Sequence, residues 1–313
     1  MEFYVEVSLG VISVVIVAVN SFVVCLVCLN KVPRTYTNWL TVSLAVSDIL
    51  TGGILFPTLI IGPTHVVVDY LISMILLWGV ANICALTYDR FIAVIKPLQY
   101  TYRIPDLFKR TVIAVWLFPT MYSLLPLFWR TDYSKTIHLV YLVCYEIFGV
   151  IIPYICINVA YFQIFKVVKR SLALRKNLDG AVKQINENRR VSSDAQVAKV
   201  FWIISVAFFI SWFPIMYMTT AEGIFNRFDI VPNVLQVVSL YTVAIASLVN
   251  PFVYAFFKPD FRIVSRNICR KSDRVRATYT KLKQAFQAKT DRGTKSGEEP
   301  RQQPLPKIEG ESF

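Results

Sequence analysis

Apolar residues run through this chain in long blocks and not in alternation. Seven stretches, residues 9–29, 39–61, 66–88, 111–129, 139–165, 200–218 and 234–257, are apolar nearly all round at helical spacing. A helix that is hydrophobic on every face has no polar side to turn to water, so it belongs deep in a large bundle or across a membrane. Each stretch reaches or approaches the roughly 20 residues that a helix needs to cross about 30 Å of hydrocarbon with every backbone group satisfied. The pattern predicts an all-α protein, a seven-transmembrane helix bundle spanning residues 9–257. Four of the stretches carry no charge at all; the intramembrane exceptions are Asp48, Asp69 and Glu146.

Composition agrees with this: 55% of the 313 residues are hydrophobic and 17% charged. Positive residues near membrane ends stay cytoplasmic. Of the 33 Lys and Arg, only Arg130, Lys135 and Arg227 fall on the side opposite to the rest, which places the amino terminus (1–8) outside and the tail inside. The formal charge of +13 is then mostly a cytoplasmic surface facing anionic lipid and protein, not a nucleic-acid site. Residues 258–270 alternate apolar and basic positions as an amphipathic eighth helix on the inner leaflet would. Residues 271–313 lack the apolar content to offset ordering entropy and are expected to be a disordered cytoplasmic tail. With Glu2 and Glu6 and no basic run ahead of the first stretch, no cleavable signal is expected.

Chemistry-bearing residues are few. Asp48 lies mid-span, where an isolated carboxylate is costly, so it should face a polar cavity. Pro153, Pro214 and Pro251 each remove an interior helix hydrogen bond and can kink their spans. Asp89 and Arg90, in TYDRFIAVIKPLQY, sit where the third span meets the cytoplasm. Cys25-X-X-Cys28 falls inside an apolar helix without His or acidic partners and reads as two small buried thiols. The two His and scattered Ser form no triad, metal site or phosphate loop, so no enzyme is expected.

Seven features in chain order resemble the rhodopsin-like (class A) G-protein-coupled receptors. They are Asn20, LAVSD ending at Asp48, DRF at 89–91, Trp116, Pro153 with Tyr161, Phe208 with SWFP (Trp212, Pro214), and NPFVY from Asn250 to Tyr254. The resemblance implies an extracellular ligand signalling to a heterotrimeric G protein through movement of helix 6, at the plasma membrane. It assigns coupling and switching to Asp89, Arg90, Asp194, Tyr161, Asn250, Pro251 and Tyr254, and a core switch to Phe208, Trp212 and Pro214. Arg90 is expected to pair with Asp89 or Asp194 at rest and to turn toward Tyr161 and Tyr254 when active. It further implies a sodium- and water-filled pocket at Asp48, Asn20, Ser247, Asn250 and Trp212, with Gly79 and Ala246 standing where two further ligands are common. Arrestin at the tail, membrane lipids, and palmitoylation of Cys269 complete the expected partners.

By the same resemblance, the ligand pocket falls on Asp69, Ile72, Ser73, Leu76, Tyr145, Glu146, Gly149, Trp212, Ile215, Met216, Thr219, Glu222, Gln236 and Leu240. Ile72 stands where amine receptors carry Asp, and Ala244 where visual pigments hold retinal through Lys, which disfavours a monoamine held at residue 72 and excludes a retinal Schiff base at residue 244. Asp69, Glu146 and Glu222 make the rim acidic, favouring a cationic peptide or amine-bearing small molecule. His65 replaces the cysteine that usually ties the third span to the second outer loop, and RTDYSKTIH holds none. That departure keeps a second reading open: a non-transducing or constitutively active heptahelical protein without a natural ligand.

Overall fold

The structure, a computed structural model, describes residues 3–29, 31–62, 66–129, 135–176, 202–203, 205–207, 209–257, 261 and 263–264. Helix α1 spans Phe3–Cys28 and α2 Tyr36–Ile61, the latter with a π turn at Thr51–Leu55. Helix α3 spans Val66–Ile95; α4 spans Pro97–Leu124 and ends in a 3₁₀ turn, Leu125–Trp129. Helix α5 comprises Lys135–Glu146 and Ile152–Lys176, joined by the π turn Ile147–Ile151. Helix α6 runs over 209–218 into a π turn, Thr219–Ile224, and α7 spans Asn233–Phe257. Six of the described helices are long and apolar enough to cross a membrane; the described part of α6 belongs to the remaining apolar stretch.

The distribution of polarity is inverted relative to a water-soluble protein. Asn20, Asn38, Asn82 and Asp89 are almost wholly buried, while Val14, Phe118 and Phe162 stand about 70% exposed at 69%, 70% and 71%. Polar groups turned inward and apolar ones outward are what a hydrocarbon solvent selects.

Local signals set several helix ends. Thr35, in extended conformation, caps α2 by accepting from the Asn38 N–H at 3.2 Å. Pro97 disfavours helix at Lys96, ending α3, and its fixed φ starts α4. Helix α3 therefore continues beyond Arg90 to Ile95, and helix α4 begins at Pro97, ahead of its apolar span at Leu107–Trp129. Residues 3–8, expected as a terminus ahead of the first helix, are instead its opening turns. Glu6 suits the positive end of the helix dipole, Leu9 is fully buried, and Ser8 bonds the Tyr241 hydroxyl of α7. Asn226, with φ 53°, takes the left-handed turn that closes α6, as Arg227 N–H reaches Ala221 C=O at 2.7 Å.

Helix α1 packs on α2 and α7, and α3 lies among α2, α4 and α5. The three π turns are uncommon geometry, and each carries a glycine in close contact. At Gly52 an added Cβ would sit 2.9 Å from the Ser13 carbonyl oxygen, so glycine lets α2 touch the α1 backbone. The Ser13 hydroxyl donates to the Gly52 carbonyl across the same contact. These helices form one compact unit ending at Arg262. Of the expected eighth helix, only Phe261 (buried), Ile263 and Val264 are described, and the expected tail lies outside the described residues.

Candidate functional site

Three polar centres lie along the bundle. At one end, α3 presents Asp89 and Arg90. The Arg90 guanidinium meets the Asp89 carboxylate at 2.6 Å and also donates to the Thr37 hydroxyl of α2. Thr37 in turn donates to Asp89 at 2.6 Å, and the Tyr100 hydroxyl donates to the other carboxylate oxygen at 2.9 Å. Burial, and after it the Asp89 carboxylate, push the Tyr100 phenol above its usual value, which keeps it a donor. Asp89 is 2% exposed, so the pair is a desolvated one held by added hydrogen bonds. One turn deeper, Thr87 and the fully buried Tyr161 hydroxyl are 3.1 Å apart, linking α3 to α5.

Of Arg90's two expected partners, Asp89 is the one found. Asp194 lies outside the described residues, as do Phe208, Cys269 and the Tyr254 side chain. Thr37 and Tyr100 were not singled out from sequence, although Tyr100 closes the very stretch that drew attention to Arg90. Its signal is legible afterwards: Pro97 turns the chain so that α4's first turn folds back beside the end of α3.

Midway, Asp48 accepts a 2.7 Å hydrogen bond from the Asn250 amide of α7. Asn20 donates to the Ser247 carbonyl at 3.2 Å and to Ile16 at 3.0 Å, so α1, α2 and α7 converge here. Beside Asp48 is a cavity of about 20 Å³ bordered by Ser47, Thr51, Gly79, Ser211, Ala246 and Ser247. Gly79 and Ala246 thus do face this space, as their positions suggested. Of the five residues expected to share it, Asp48 and Ser247 line it with Ser47 and Ser211, whereas Asn20, Asn250 and Trp212 do not; Asn250 instead bonds Asp48. One carboxylate among hydroxyls in a space of about one water's size suits a single monovalent cation or a water.

At the other end a cavity of about 790 Å³ opens among α2 to α7. Asp69, Ile72, Ser73, Leu76, Tyr145, Ile215, Thr219, Glu222 and Leu240 line it, as expected. Five expected residues do not. Glu146 immediately precedes a π turn, which shifts the register of the following helix; its carboxylate is taken by the Thr220 hydroxyl at 2.8 Å. Gly149 lies within that turn, against Leu77. Trp212 is beneath the cavity, fully buried, with its ring 6.3 Å from that of Tyr145. Met216 packs into the apolar core, and Gln236 is on an exposed face, leaving Ser239, Leu240 and Val243 to represent α7.

The walls missed from sequence include Leu55, Phe56 and Leu59 of α2, and Ser123, Pro126, Trp129 and Tyr141 of α4 and α5; His138 lines the cavity too. Tyr141 is the hub of an aromatic cluster, with ring centroids 5.5 Å from Tyr122, 5.7 Å from Trp129 and 6.0 Å from His138. Below it, Trp78 donates to the Trp116 carbonyl and Thr120 hydroxyl, both at 3.1 Å, and Trp116 donates to Ser43 at 3.0 Å. These bonds pin α3, α4 and α2 together. Among the described residues no cluster of three or more His, Cys, Asp or Glu could hold a metal ion, and the five described cysteines are free.

Comparison with known proteins bears on this arrangement. Residues 19–254 match the family described as 7 transmembrane receptor (rhodopsin family). The chain is 27% identical to the long-wavelength rhodopsin of Apis mellifera, over 81% of this chain and 74% of that protein. It is 29% identical to the histamine H2 receptor of Cavia porcellus, over 84% and 79%, and 25% identical to the octopamine receptor beta-2R of Chilo suppressalis, over 81% and 77%.

Proposed function

Because the chain belongs to the rhodopsin family of seven-transmembrane receptors, a family of receptors and not enzymes, we propose that it carries an amine signal from the large cavity to a cytoplasmic G protein. The observation that carries this reading is that one helix, α3, bears both Asp69 in the cavity wall and Arg90 in the buried polar cluster at the other end. A ligand that binds one arrangement of the bundle more tightly shifts its population. In the resting arrangement Arg90 is held by Asp89 and Thr37. In the active one it turns toward Tyr161, Tyr254 and the G protein, as the part of α6 below Trp212 swings about the kink at Pro214. Asp194 and Phe208 serve the same switch.

The ligand reading rests on charge and size. Asp69 and Glu222 put two carboxylates on a largely apolar wall. A volume of about 790 Å³ is within the roughly 300–1,000 Å³ range of small-molecule sites, enough for a small amine or for one end of a cationic peptide. Ile72 stays apolar, so the ammonium partner is Asp69, one helical turn along α3. Dissociation of a panel of heterotrimers in cells expressing the chain, challenged with amine, cationic-peptide and neutral-lipid libraries, tests this. Activation by amines or cationic peptides is the expected result; activation by neutral lipids alone would contradict it.

Asp48 fits a sodium ion as its one charged ligand, with Ser47, Ser211 and Ser247 supplying hydroxyl oxygens; bound there, the ion would neutralise the carboxylate and favour the resting bundle. Positive residues near the membrane ends support an outer amino terminus and a cytoplasmic tail at the plasma membrane. The tail would offer arrestin its sites, and Cys269 would carry a palmitoyl anchor beside basic residues facing anionic lipid.

A further inference from the structure

The turn of α6 that leads into Pro214 is tied to α7 by a hydroxyl. Pro214 offers no N–H to the Ile210 carbonyl, and its ring crowds the turn behind it, so α6 bends most readily here. Within that turn the Ser211 carbonyl accepts a hydrogen bond from the Thr242 hydroxyl of α7 at 3.2 Å. The same hydroxyl reaches the Ser239 carbonyl of its own helix at 2.9 Å. A threonine hydroxyl has one proton, so the two carbonyls share it or compete for it. Separation from Ser211 does not orphan the hydroxyl, because Ser239 stays within reach on α7 wherever α6 goes. The contact between helices is therefore a small and reversible restraint, of the order of one neutral hydrogen bond. Ser211 and Trp212 are both buried, and Ser211 also borders the cavity beside Asp48. One residue of α6 thus joins the bend, α7 and the Asp48 cavity.

We propose that Thr242 is a positioning residue of the switch. Its hydroxyl holds the Ser211 carbonyl, and with it the turn carrying Trp212 and Pro214, against α7 in the resting bundle; when α6 swings, the proton falls back on Ser239. Removing the hydroxyl takes stability from the resting arrangement alone and so shifts the population toward the active one. The proposal rests on the reading that α6 moves, and it assigns a role to a residue that lines neither the large cavity nor the cavity beside Asp48.

Two readouts on the purified full-length chain test this. Amide hydrogen exchange over residues 209–218 reports opening of the turn, with residues 111–124 of α4 as the internal reference for global loosening. Basal nucleotide exchange on a purified heterotrimer reports use of that opening by the switch. Thr242→Val keeps the shape and removes the hydroxyl; Thr242→Ser keeps the hydroxyl. Thr242→Ala serves where Thr242→Val does not fold. Thr242→Val is expected to raise hydrogen exchange in α6 about threefold relative to α4, and basal nucleotide exchange by about the same factor. Thr242→Ser should match the wild type in both, which a mere packing role for the methyl group would not produce. Unchanged α6 hydrogen exchange in Thr242→Val, or a Thr242→Ser variant that behaves like Thr242→Val, overturns the proposal. Faster opening of α6 with unchanged basal exchange, in a receptor that still responds to an activating amine, overturns it as well. A wild type that drives no nucleotide exchange under any condition overturns the receptor reading instead, and α6 hydrogen exchange then still decides whether Thr242 holds the turn.

Discussion

Thr37 and Asp89 meet across two helices through a 2.6 Å hydrogen bond, and the same threonine accepts from Arg90. One hydroxyl thus fastens both members of the ion pair to α2. Replacing it with a methyl in Thr37→Val keeps the side-chain shape but removes both bonds. A hydrogen bond to a charged group contributes about 1.5–3 kcal/mol, so freeing Arg90 should raise basal G-protein activation by roughly tenfold. Basal heterotrimer dissociation at matched surface expression measures it; unchanged basal activity would show that Thr37 does not restrain the switch.

Gly52 and Gly10 offer a paired test of packing. A Cβ at Gly52 would meet the Ser13 carbonyl oxygen at 2.9 Å and Ile16 at 3.0 Å, whereas one at Gly10 would meet nothing within 4 Å. Backbone cannot yield as a side-chain tip can, so Gly52→Ala should cost about 1–3 kcal/mol. Gly10→Ala should be neutral or slightly stabilising, because alanine favours helix. Melting of the purified receptor distinguishes them, and equal melting temperatures would contradict the close α1–α2 contact.

Much of this was legible in the sequence, and what was not has a physical reason. Blocks of apolar residues reveal spans because hydrocarbon imposes length and all-round apolarity, and Asp48 reveals a polar interior because an isolated charge there is expensive. Asn250 as a neighbour of Asp48 was implied only by the family resemblance, and the 2.7 Å bond between them is a finding of the structure. The cavity lining was legible along α3, an uninterrupted helix where spacing gives facing. It failed at Gly149, inside the π turn of α5, and at Glu146, which borders that turn and is engaged by Thr220. Ser123 and Trp129 escaped notice because one serine and one tryptophan in an apolar stretch look alike whether they face lipid or a cavity.

Sodium sensitivity should follow Asp48. When sodium replaces a bulky organic cation at constant ionic strength, the wild-type receptor should gain about 1 kcal/mol of stability at about five times the dissociation constant. Asp48→Asn keeps the volume and an acceptor for Asn250 but lacks the charge, so it should show no gain. A sodium effect that persists in Asp48→Asn would place the ion elsewhere.

The two carboxylates Asp69 and Glu146 should differ in their effect on amine potency. Asp69 lines the cavity, whereas Glu146 is engaged by Thr220 at 2.8 Å. Loss of a charge-assisted hydrogen bond of about 1.5–3 kcal/mol in Asp69→Asn should lower potency roughly 10-fold to 100-fold. Glu146→Gln retains an oxygen for Thr220 and should change potency less than about threefold. Dose–response curves for an activating amine decide it, and the reverse ranking would move the ammonium site to α5.

The most direct test joins the two ends of α3. Purified receptor and purified heterotrimer are mixed, and nucleotide exchange is followed with and without an activating amine, for the wild-type chain, Arg90→Ala and Asp69→Asn. Amine-stimulated exchange is expected in the wild type, abolished by Arg90→Ala while amine binding persists, and shifted to higher amine concentration by Asp69→Asn. Exchange that is undiminished in Arg90→Ala would contradict transmission from the cavity to the Arg90 cluster.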